Sequence, residues 1–156
     1  MAKRRRPVND FSPLEQAAWG GLLGMHGRLL RQIEQELLDR FRISHAEFEV
    51  LLRLSWADGH RMRIQDLATQ SLLTRSGISR VVERLARVDL VTREAAPEDG
   101  RGAYAVLTER GVGVFSAALT THVALVRAAF LDRFDESELQ TMARFWRRVE
   151  EQLPEA

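Results

Sequence analysis

Cysteine is absent from this 156-residue sequence, which excludes disulfides, a thiol redox switch and any Cys-based zinc site. An excess of one charge is also missing, because 23 Lys and Arg nearly balance 22 Asp and Glu, for a formal net charge of +1. Nucleic-acid binding therefore has to rest on where the cations lie. No uninterrupted apolar run approaches the roughly 18 residues of a membrane span, and no apolar segment follows the basic N-terminus as in a signal peptide. We expect a cytoplasmic protein with no membrane partner.

Motifs for catalysis and metal binding are missing as well. The histidines are scattered, at His26, His45, His60 and His122. They form no H-x-x-x-H or E-x-x-H pair on one helix, and the sequence has no G-x-S-x-G and no Gly-rich phosphate loop. We therefore expect no enzyme, no cofactor and no metal. A regulator that assembles a metal site from separated His and Glu residues stays open as an alternative.

The composition is that of one ordinary globular domain. Hydrophobic residues make up 45% of the chain and charged residues 29%, and a chain of this length can bury one sizeable core. Residues 64–108 contain two short helical patterns joined by a polar turn, then two strand-like runs around a Gly-containing loop. The predicted fold is mainly α with a small β-hairpin wing, in the order of a winged helix-turn-helix.

The second helical pattern, residues 74–88, separates an apolar face from a cationic one at helical spacing. The apolar face carries Ile78, Val81, Val82, Leu85 and Val88, and the opposite face carries Ser76, Ser79, Arg80, Glu83, Arg84 and Arg87. Thr74 is a good N-cap. Four arginines against one glutamate give residues 71–87 a local charge of +3. Hydroxyls near the helix start and arginines along the same face suit the major groove of DNA, although a solvated helix face is the alternative.

The strand-like runs, 90–94 and 103–107, flank the turn-forming loop AAPEDGRG. Arg101 at the tip has the reach for a narrow minor groove, whose negative potential attracts arginine. Asp99 is expected to brace the loop by accepting from loop N–H groups or from Arg101. A hairpin directly after a cationic, capped helix favours DNA binding more than either element does alone.

The run LATQSLLTRSGISRVVERLARVDLVTREAAPEDGRGAYAVLTERG resembles the core of the MarR (multiple antibiotic resistance regulator) family of bacterial transcription factors. The matching pieces, in order, are LA, T-x-S-x-x-S-R-x-V-x-R-L, L-V-x-R, D-x-R and L-T-x-x-G. The resemblance implies a short third strand near residues 60–63 and a homodimer formed by intertwined terminal helices. It also implies that small aromatic or phenolic acids bind between the dimerisation helices and the DNA-binding unit.

Capping patterns place the flanking helices. Ser12 with Glu15, Ser44 with Glu47, and residues 135–138 read as capping boxes, and Thr108 reads as a single N-cap. The predicted organisation is a disordered basic tail (1–11) followed by one domain (12–156). Within that domain, a DNA-binding winged helix (44–107) lies between dimerisation helices (12–40 and 108–153). A first helix of about 28 residues, about 42 Å long, exceeds what a small domain can cover, so a partner chain is implied. The tail, with Lys3 to Arg6, has the alternative role of adding phosphate contacts.

The predicted function is that of a homodimeric DNA-binding regulator: a repressor that a small ligand releases from a pseudo-palindromic operator. The expected DNA-binding residues are Thr74, Arg75, Ser76, Gly77, Ser79, Arg80, Arg84, Arg87, Asp99 and Arg101. Ser76, Ser79 and Arg80 are assigned to bases, Arg75, Arg84 and Arg87 to phosphates, and Arg101 to the minor groove. The candidate ligand pocket comprises Trp19, Met25, His26, Trp56 and His122. The alternatives are a winged-helix module for protein contacts and a metal-responsive regulator without an organic effector.

Overall fold

The computed structural model describes residues 11–71, 74–96 and 102–152. The predicted basic tail and the wing tip lie outside these described residues, apart from Phe11 at the end of the tail. In chain order the elements are α1 (Pro13–Phe41), α2 (His45–Trp56), β1 (Arg61–Arg63), α3 (Ile64–Thr69), α4 (Arg75–Arg87), β2 (Val91–Ala96), β3 (Gly102–Leu107), α5 (Glu109–Ala129) and α6 (Glu136–Glu150). Short 3₁₀ turns occupy Asp58–His60 and Leu131–Arg133.

The helices begin where the capping residues predicted. Ser12, Ser44 and Asp135 each form a complete capping box with the glutamate three residues later, which satisfies backbone N–H groups of the first turn. The Thr108 side chain accepts from the backbone N–H of Gly111. The predicted starts of α1, α2, α5 and α6 are therefore confirmed.

The end of α5 differs from the prediction. The apolar helical spacing after Thr108 predicts a helix to about Phe134, but α5 ends at Ala129 because Phe130 takes φ −134° and ψ −65°, outside the helical region. The rings of Phe130 and Phe134 then pack edge to face, with centroids 5.1 Å apart. Apolar periodicity continues across this break, so the pattern alone could not locate it.

The sheet has the strand order β1-β3-β2, and both pairings are antiparallel. Met62 of β1 and Arg93 of β2 both pair with Ala105. One face packs on the helices, where Val91, Ala105 and Leu107 are buried. The third strand implied by the family resemblance is confirmed, and the sheet places the base of the wing against the helical core.

The core lies under the helix-turn-helix and not under the long terminal helices. It gathers side chains from the C-terminal half of α1, from α2 to α4, from the sheet and from the first half of α5. Its largest fully buried members are Phe48, Leu37, Ile43, Leu51, Leu54, Leu67, Ile78, Leu85, Val50, Val82 and Val91. By contrast, α1 buries only Ile33 and Leu37, and α6 buries none of its residues. The terminal helices therefore keep wide apolar surfaces exposed.

The segment Glu109–Arg133 is long enough and apolar enough, at a mean hydropathy of 1.6, to cross a membrane by length and composition. The sequence prediction considered only uninterrupted apolar runs. This segment qualifies because threonine, serine and histidine, with Arg127 as the one charged residue between positions 111 and 130, interrupt its apolar positions. Only 11% of that window is buried within the described structure, including Phe115 and Ala118 of α5, and a single such helix is weak evidence for a membrane span.

Candidate nucleic-acid interface

One face of α4 is fixed to the core. Ile78, Val82 and Leu85 are completely buried, and the helix packs against α2 and α3. Val88 is 46% exposed, so its assignment to the apolar face was wrong. It is the C-cap residue, with φ −104° and ψ 15°, and has left the helical register. The rest of the predicted apolar face is confirmed, with Val81 half-buried.

The N-terminus of α4 carries hydroxyl groups around a capped first turn. The Thr74 hydroxyl accepts from the backbone N–H of Gly77 at 3.2 Å and lies 3.2 Å from the Ser76 hydroxyl. Ser76 is exposed and Ser79 is half-buried. The positive end of the helix dipole and the uncapped N–H groups of this turn favour an anion, such as a phosphate, at the same place.

Two arginines extend the polar face toward the C-terminus of α4. Arg80 is exposed, and Arg87 is 70% exposed and forms a loose 3.8 Å ion pair with Glu83. A pair of this kind on a helix surface contributes only about 0.3–0.5 kcal/mol, so Arg87 can exchange Glu83 for a phosphate at little cost. The predicted contacts of the Arg75 side chain, Asp99 and Arg101 lie outside the described part of the structure.

Arg84 has partners within the protein that the sequence did not indicate. Its Nε donates to Oε1 of Glu47 at 2.7 Å, and its Nη2 donates to the carbonyl oxygen of Arg42 at 3.4 Å. The side chain is nevertheless 55% exposed, so its assignment to a phosphate stays a prediction. The sequence could not indicate the ion pair because residues 47 and 84 are distant in the chain.

The outer face of the sheet holds a second cationic cluster that the sequence analysis missed. The guanidinium carbon of Arg61 lies 3.6 Å from the centroid of the Tyr104 ring, and Arg63 Nε donates to the Tyr104 hydroxyl at 3.2 Å. Arg61 also pairs with Glu94 of β2 at 3.3 Å. These contacts join all three strands beneath the wing. The alternation Arg-Met-Arg in β1, which puts both arginines on one face, was the available signal.

An apolar groove of about 330 Å³ lies between the N-terminal half of α1 and the region from the end of α5 to α6. It is lined by Ala18, Gly21, Leu22, Met25, His26, Leu29, Phe130, Met142 and Trp146. Of the predicted pocket residues, only Met25 and His26 lie in this groove. Trp19 and Trp56 are 52% and 75% exposed and line no part of it.

His122, the fifth predicted pocket residue, packs instead between α5 and α2. Its ring stacks on Phe48 with centroids 4.9 Å apart. Burial lowers the pKa of His122, and nearby His45 lowers it further, while Glu49 acts in the opposite direction. The structure therefore does not bring the five residues into one pocket, because helix placement alone did not fix which way each side chain points.

Within the ranges 11–71, 74–96 and 102–152, no group of three or more His, Asp or Glu side chains is arranged to hold a metal ion. The described residues thus lend no support to the metal-responsive alternative.

The arrangement of a capped helix packed on two others, followed by an antiparallel hairpin, defines a winged helix-turn-helix protein. The MarR family model matches residues 43–102. The chain is 33% identical to AbsC, a MarR family transcriptional regulator from Streptomyces coelicolor, over 92% of this chain and 97% of that one, with a TM-score of 0.85. The chain therefore belongs to the MarR family of transcriptional regulators, and the expectation that it is not an enzyme is confirmed.

Two further relatives agree with this membership. Sco3205, a MarR family regulator from Streptomyces coelicolor solved in complex with DNA, is 28% identical over 97% of this chain and 96% of that one, with a TM-score of 0.87. The transcriptional repressor YetL of Bacillus subtilis is 29% identical over 96 residues, which are 62% of this chain and 58% of that protein.

Proposed function

We propose that this chain is a cytoplasmic, homodimeric repressor that binds a specific duplex DNA site through α4 and releases it when a small apolar or aromatic acid binds. The observation that carries the proposal is the division of α4. Ile78, Val82 and Leu85 fix one face in the core, and the opposite face presents Ser76 and Arg80 to solvent. The DNA complex of Sco3205 supports the DNA as ligand, and the repressor YetL supports the sign of regulation.

The chemistry of the exposed α4 face assigns the contacts. Ser76 and Ser79 hydroxyls near the helix start suit base edges, and Arg80 suits the two acceptors of guanine. Arg75 and Arg87 suit phosphates, with Thr74 and Gly77 offering the first turn for backbone contacts. The wing is assigned as before, with Arg101 in the minor groove and Asp99 bracing the loop. Arg84 is left out of this set because Glu47 and the Arg42 carbonyl engage it.

The exposed surface of the terminal helices supports the dimer. Large apolar side chains that are 37–80% exposed cluster on α1, α5 and α6: Leu14, Trp19, Leu22, Leu23, Met25, Val123, Phe145, Trp146 and Val149. Apolar patches of this extent rarely face water in a monomer. We assign residues 12–40 and 108–153 to dimerisation and residues 44–107 to DNA binding. Two-fold symmetry then requires a pseudo-palindromic operator with half-sites about one helical turn, roughly 10 bp, apart.

The apolar groove beside Met25 and His26 is the proposed effector site. A ring of moderate size fits a volume of about 330 Å³, and the ring N–H of His26 can donate to a carboxylate or phenolate. Because the groove lies among the proposed dimerisation helices, a ligand there can change the spacing of the two α4 helices. A ligand that prefers the non-binding spacing shifts the population away from DNA.

The decisive experiment is selection of binding sites from a random duplex DNA pool at fixed salt. We expect enrichment of a palindrome with half-sites about one turn apart. Binding that is weak and salt-sensitive, with no enriched sequence, would contradict the proposal and favour the protein-contact module.

The dimer is tested by sedimentation of wild type and Phe145→Glu, with Arg144→Glu as a polar control on the same helix. The proposal expects a dimer for wild type and the control, and dissociation for Phe145→Glu.

The effector site is tested by a thermal-shift and DNA-release screen of aromatic acids. Met142→Trp, at a half-buried groove residue outside the exposed apolar set, fills the groove and should abolish any shift while DNA binding is kept. A screen in which no acid raises the melting temperature or releases DNA would contradict this part of the proposal.

A further inference from the structure

Among the residues that the structure describes, Glu47 is the only charged side chain that is buried, with 2% of its surface exposed. A buried carboxylate is costly unless charge and hydrogen bonds compensate it. Both of its oxygens are engaged. Oε2 accepts from the backbone N–H and the hydroxyl of Ser44, at 2.7 and 2.9 Å. Oε1 accepts from Arg84 Nε at 2.7 Å.

Arg84 joins this carboxylate to a second point, the carbonyl oxygen of Arg42, at 3.4 Å. Arg42 is the C-cap of α1 and takes a left-handed conformation, with φ 60° and ψ 27°. The Arg84 guanidinium on α4 therefore bonds both to the C-cap residue of α1 and to the first turn of α2. The forked guanidinium of arginine can donate to Glu47 and to the Arg42 carbonyl at the same time. A lysine ammonium is a compact point charge and cannot reproduce this geometry.

The junction that Arg84 holds is itself tied to α1. The backbone N–H of His45 donates to Glu34 Oε2 at 2.6 Å, and Ile43, between the two helices, is buried. The end of α1 and the start of α2 thus form one braced corner. α1 carries much of the exposed apolar surface proposed for dimerisation, and Arg84 of α4 bonds to its C-cap residue at this corner.

We propose that Arg84 and Glu47 are positioning residues that set the orientation of α4 relative to α1, and that Arg84 does not contact DNA. The inference rests on the proposed DNA-binding function. In a dimer built through α1, the angle between α1 and α4 determines the spacing of the two α4 helices. Loss of the Arg84 bridge should therefore weaken binding to the operator without removing a phosphate contact.

The test compares Arg84→Lys, Glu47→Gln and the double variant on the selected operator. Lysine keeps the positive charge, and glutamine keeps a capping box, so each variant removes the bridge and little else. We expect each single variant to weaken binding about tenfold, which corresponds to about 1.4 kcal/mol. The double variant should be no weaker than either, because both act through one contact. Arg53→Lys, which alters the ion pair with Glu49 on α2 and lies outside the proposed DNA contacts, is the matched control and should bind as wild type.

The salt dependence separates positioning from a phosphate contact. A lost phosphate contact in each protomer would reduce the slope of log affinity against log salt by about two for a dimer. We expect Arg84→Gln to weaken binding with the slope unchanged. A reduced slope for Arg84→Gln, or wild-type affinity for Glu47→Gln, would overturn the proposal. The proposal would also be overturned if the Arg84 and Glu47 variants lost thermal stability while their folded fraction bound the operator with wild-type affinity.

A measurement without DNA keeps this inference separate from the proposed function. Because the chain has no cysteine, spin labels can be placed at Gln32→Cys on α1 and Arg80→Cys on α4, with labelled protomers diluted in unlabelled protein. Glu47→Gln and Arg84→Lys should broaden the label-to-label distance distribution, and Arg53→Lys should not. An unchanged distribution would refute the positioning role even if wild type bound no DNA.

Discussion

Gly111 lies where the first turn of α5 crosses the chain just before β2. A Cβ at this position would lie 2.0 Å from the carbonyl oxygen of Leu90 and 3.1 Å from Cδ2 of Leu107. The first distance is about 1.5 Å inside the usual separation of about 3.5 Å for non-bonded heavy atoms. The obstacle is backbone, so a rotamer change cannot relieve the clash and α5 has to move.

Movement of α5 would also disturb its N-terminal hydrogen bonds. The Thr108 hydroxyl accepts from Gly111 N–H at 2.9 Å and donates to the carbonyl oxygen of Asp89 at 2.7 Å. Overpacking lowers the free energy of unfolding by about 1–3 kcal/mol, and a weakened cap lowers it by about 1 kcal/mol. The higher helix propensity of alanine offsets about 1 kcal/mol of this loss. We therefore expect Gly111→Ala to reduce the free energy of unfolding by about 2 kcal/mol, or about 4–8 °C in melting temperature.

Gly113, two residues along the same helix, is the matched control. A Cβ there would meet nothing within 4 Å, so Gly113→Ala should gain up to about 1 kcal/mol from helix propensity. The assay is thermal unfolding followed by circular dichroism, with both variants and wild type at one protein concentration, because a dimer's melting temperature depends on concentration. Equal or higher stability for Gly111→Ala than for Gly113→Ala would refute the close crossing at Leu90.

Three further outcomes are expected. Thr74→Ala removes the acceptor for Gly77 N–H and should cost about 1 kcal/mol of stability in thermal unfolding; an unchanged melting temperature would show that the cap contributes nothing. The pKa of His122 is lowered in the folded protein, so the unfolded chain takes up the proton first and stability should fall as pH drops below 6.5. His122→Phe, which keeps the ring beside Phe48, should show a smaller acid-side loss in pH-dependent unfolding, and an identical pH profile would contradict this. Tyr104→Leu removes the partner of Arg61 and Arg63 and should increase hydrogen exchange in β1 and β3, whereas unchanged protection would show that the sheet needs no such brace.

Local chemistry allowed the helix starts and the order of elements to be predicted from sequence. Capping boxes act over three residues, and the division of α4 into two faces follows from helical spacing. The positions that failed depend on longer range. Phe130 ends α5 through a backbone conformation that apolar periodicity does not encode, and Val88 leaves the helical register as a C-cap.

In the candidate site too, features set by local sequence could be predicted, and features set by packing between distant segments could not. The exposure of Ser76 and Arg80 follows from the α4 pattern alone, because their face lies opposite the buried one. Arg84 lies on the edge of that polar face, and only the position of Glu47 on another helix decides that its guanidinium forms an ion pair within the protein. The pocket prediction failed for the equivalent reason, since the direction of His122 depends on the packing of α5 against Phe48.

The proposal that the exposed face of α4 binds DNA is tested most directly at Arg80. Affinity for the selected operator should be measured at one salt concentration for wild type, Arg80→Glu and Arg127→Glu, an equal charge reversal at an exposed position of α5. The account predicts at least about a 100-fold loss for Arg80→Glu, since one guanine contact contributes about 1–3 kcal/mol and the new carboxylate repels phosphate. Arg127→Glu should bind within about threefold of wild type, because Arg127 lies on α5, outside the residues 44–107 proposed to bind DNA, and salt screens exposed charges that make no direct contact. Equal, small effects of the two reversals, with both proteins folded, would contradict the proposal.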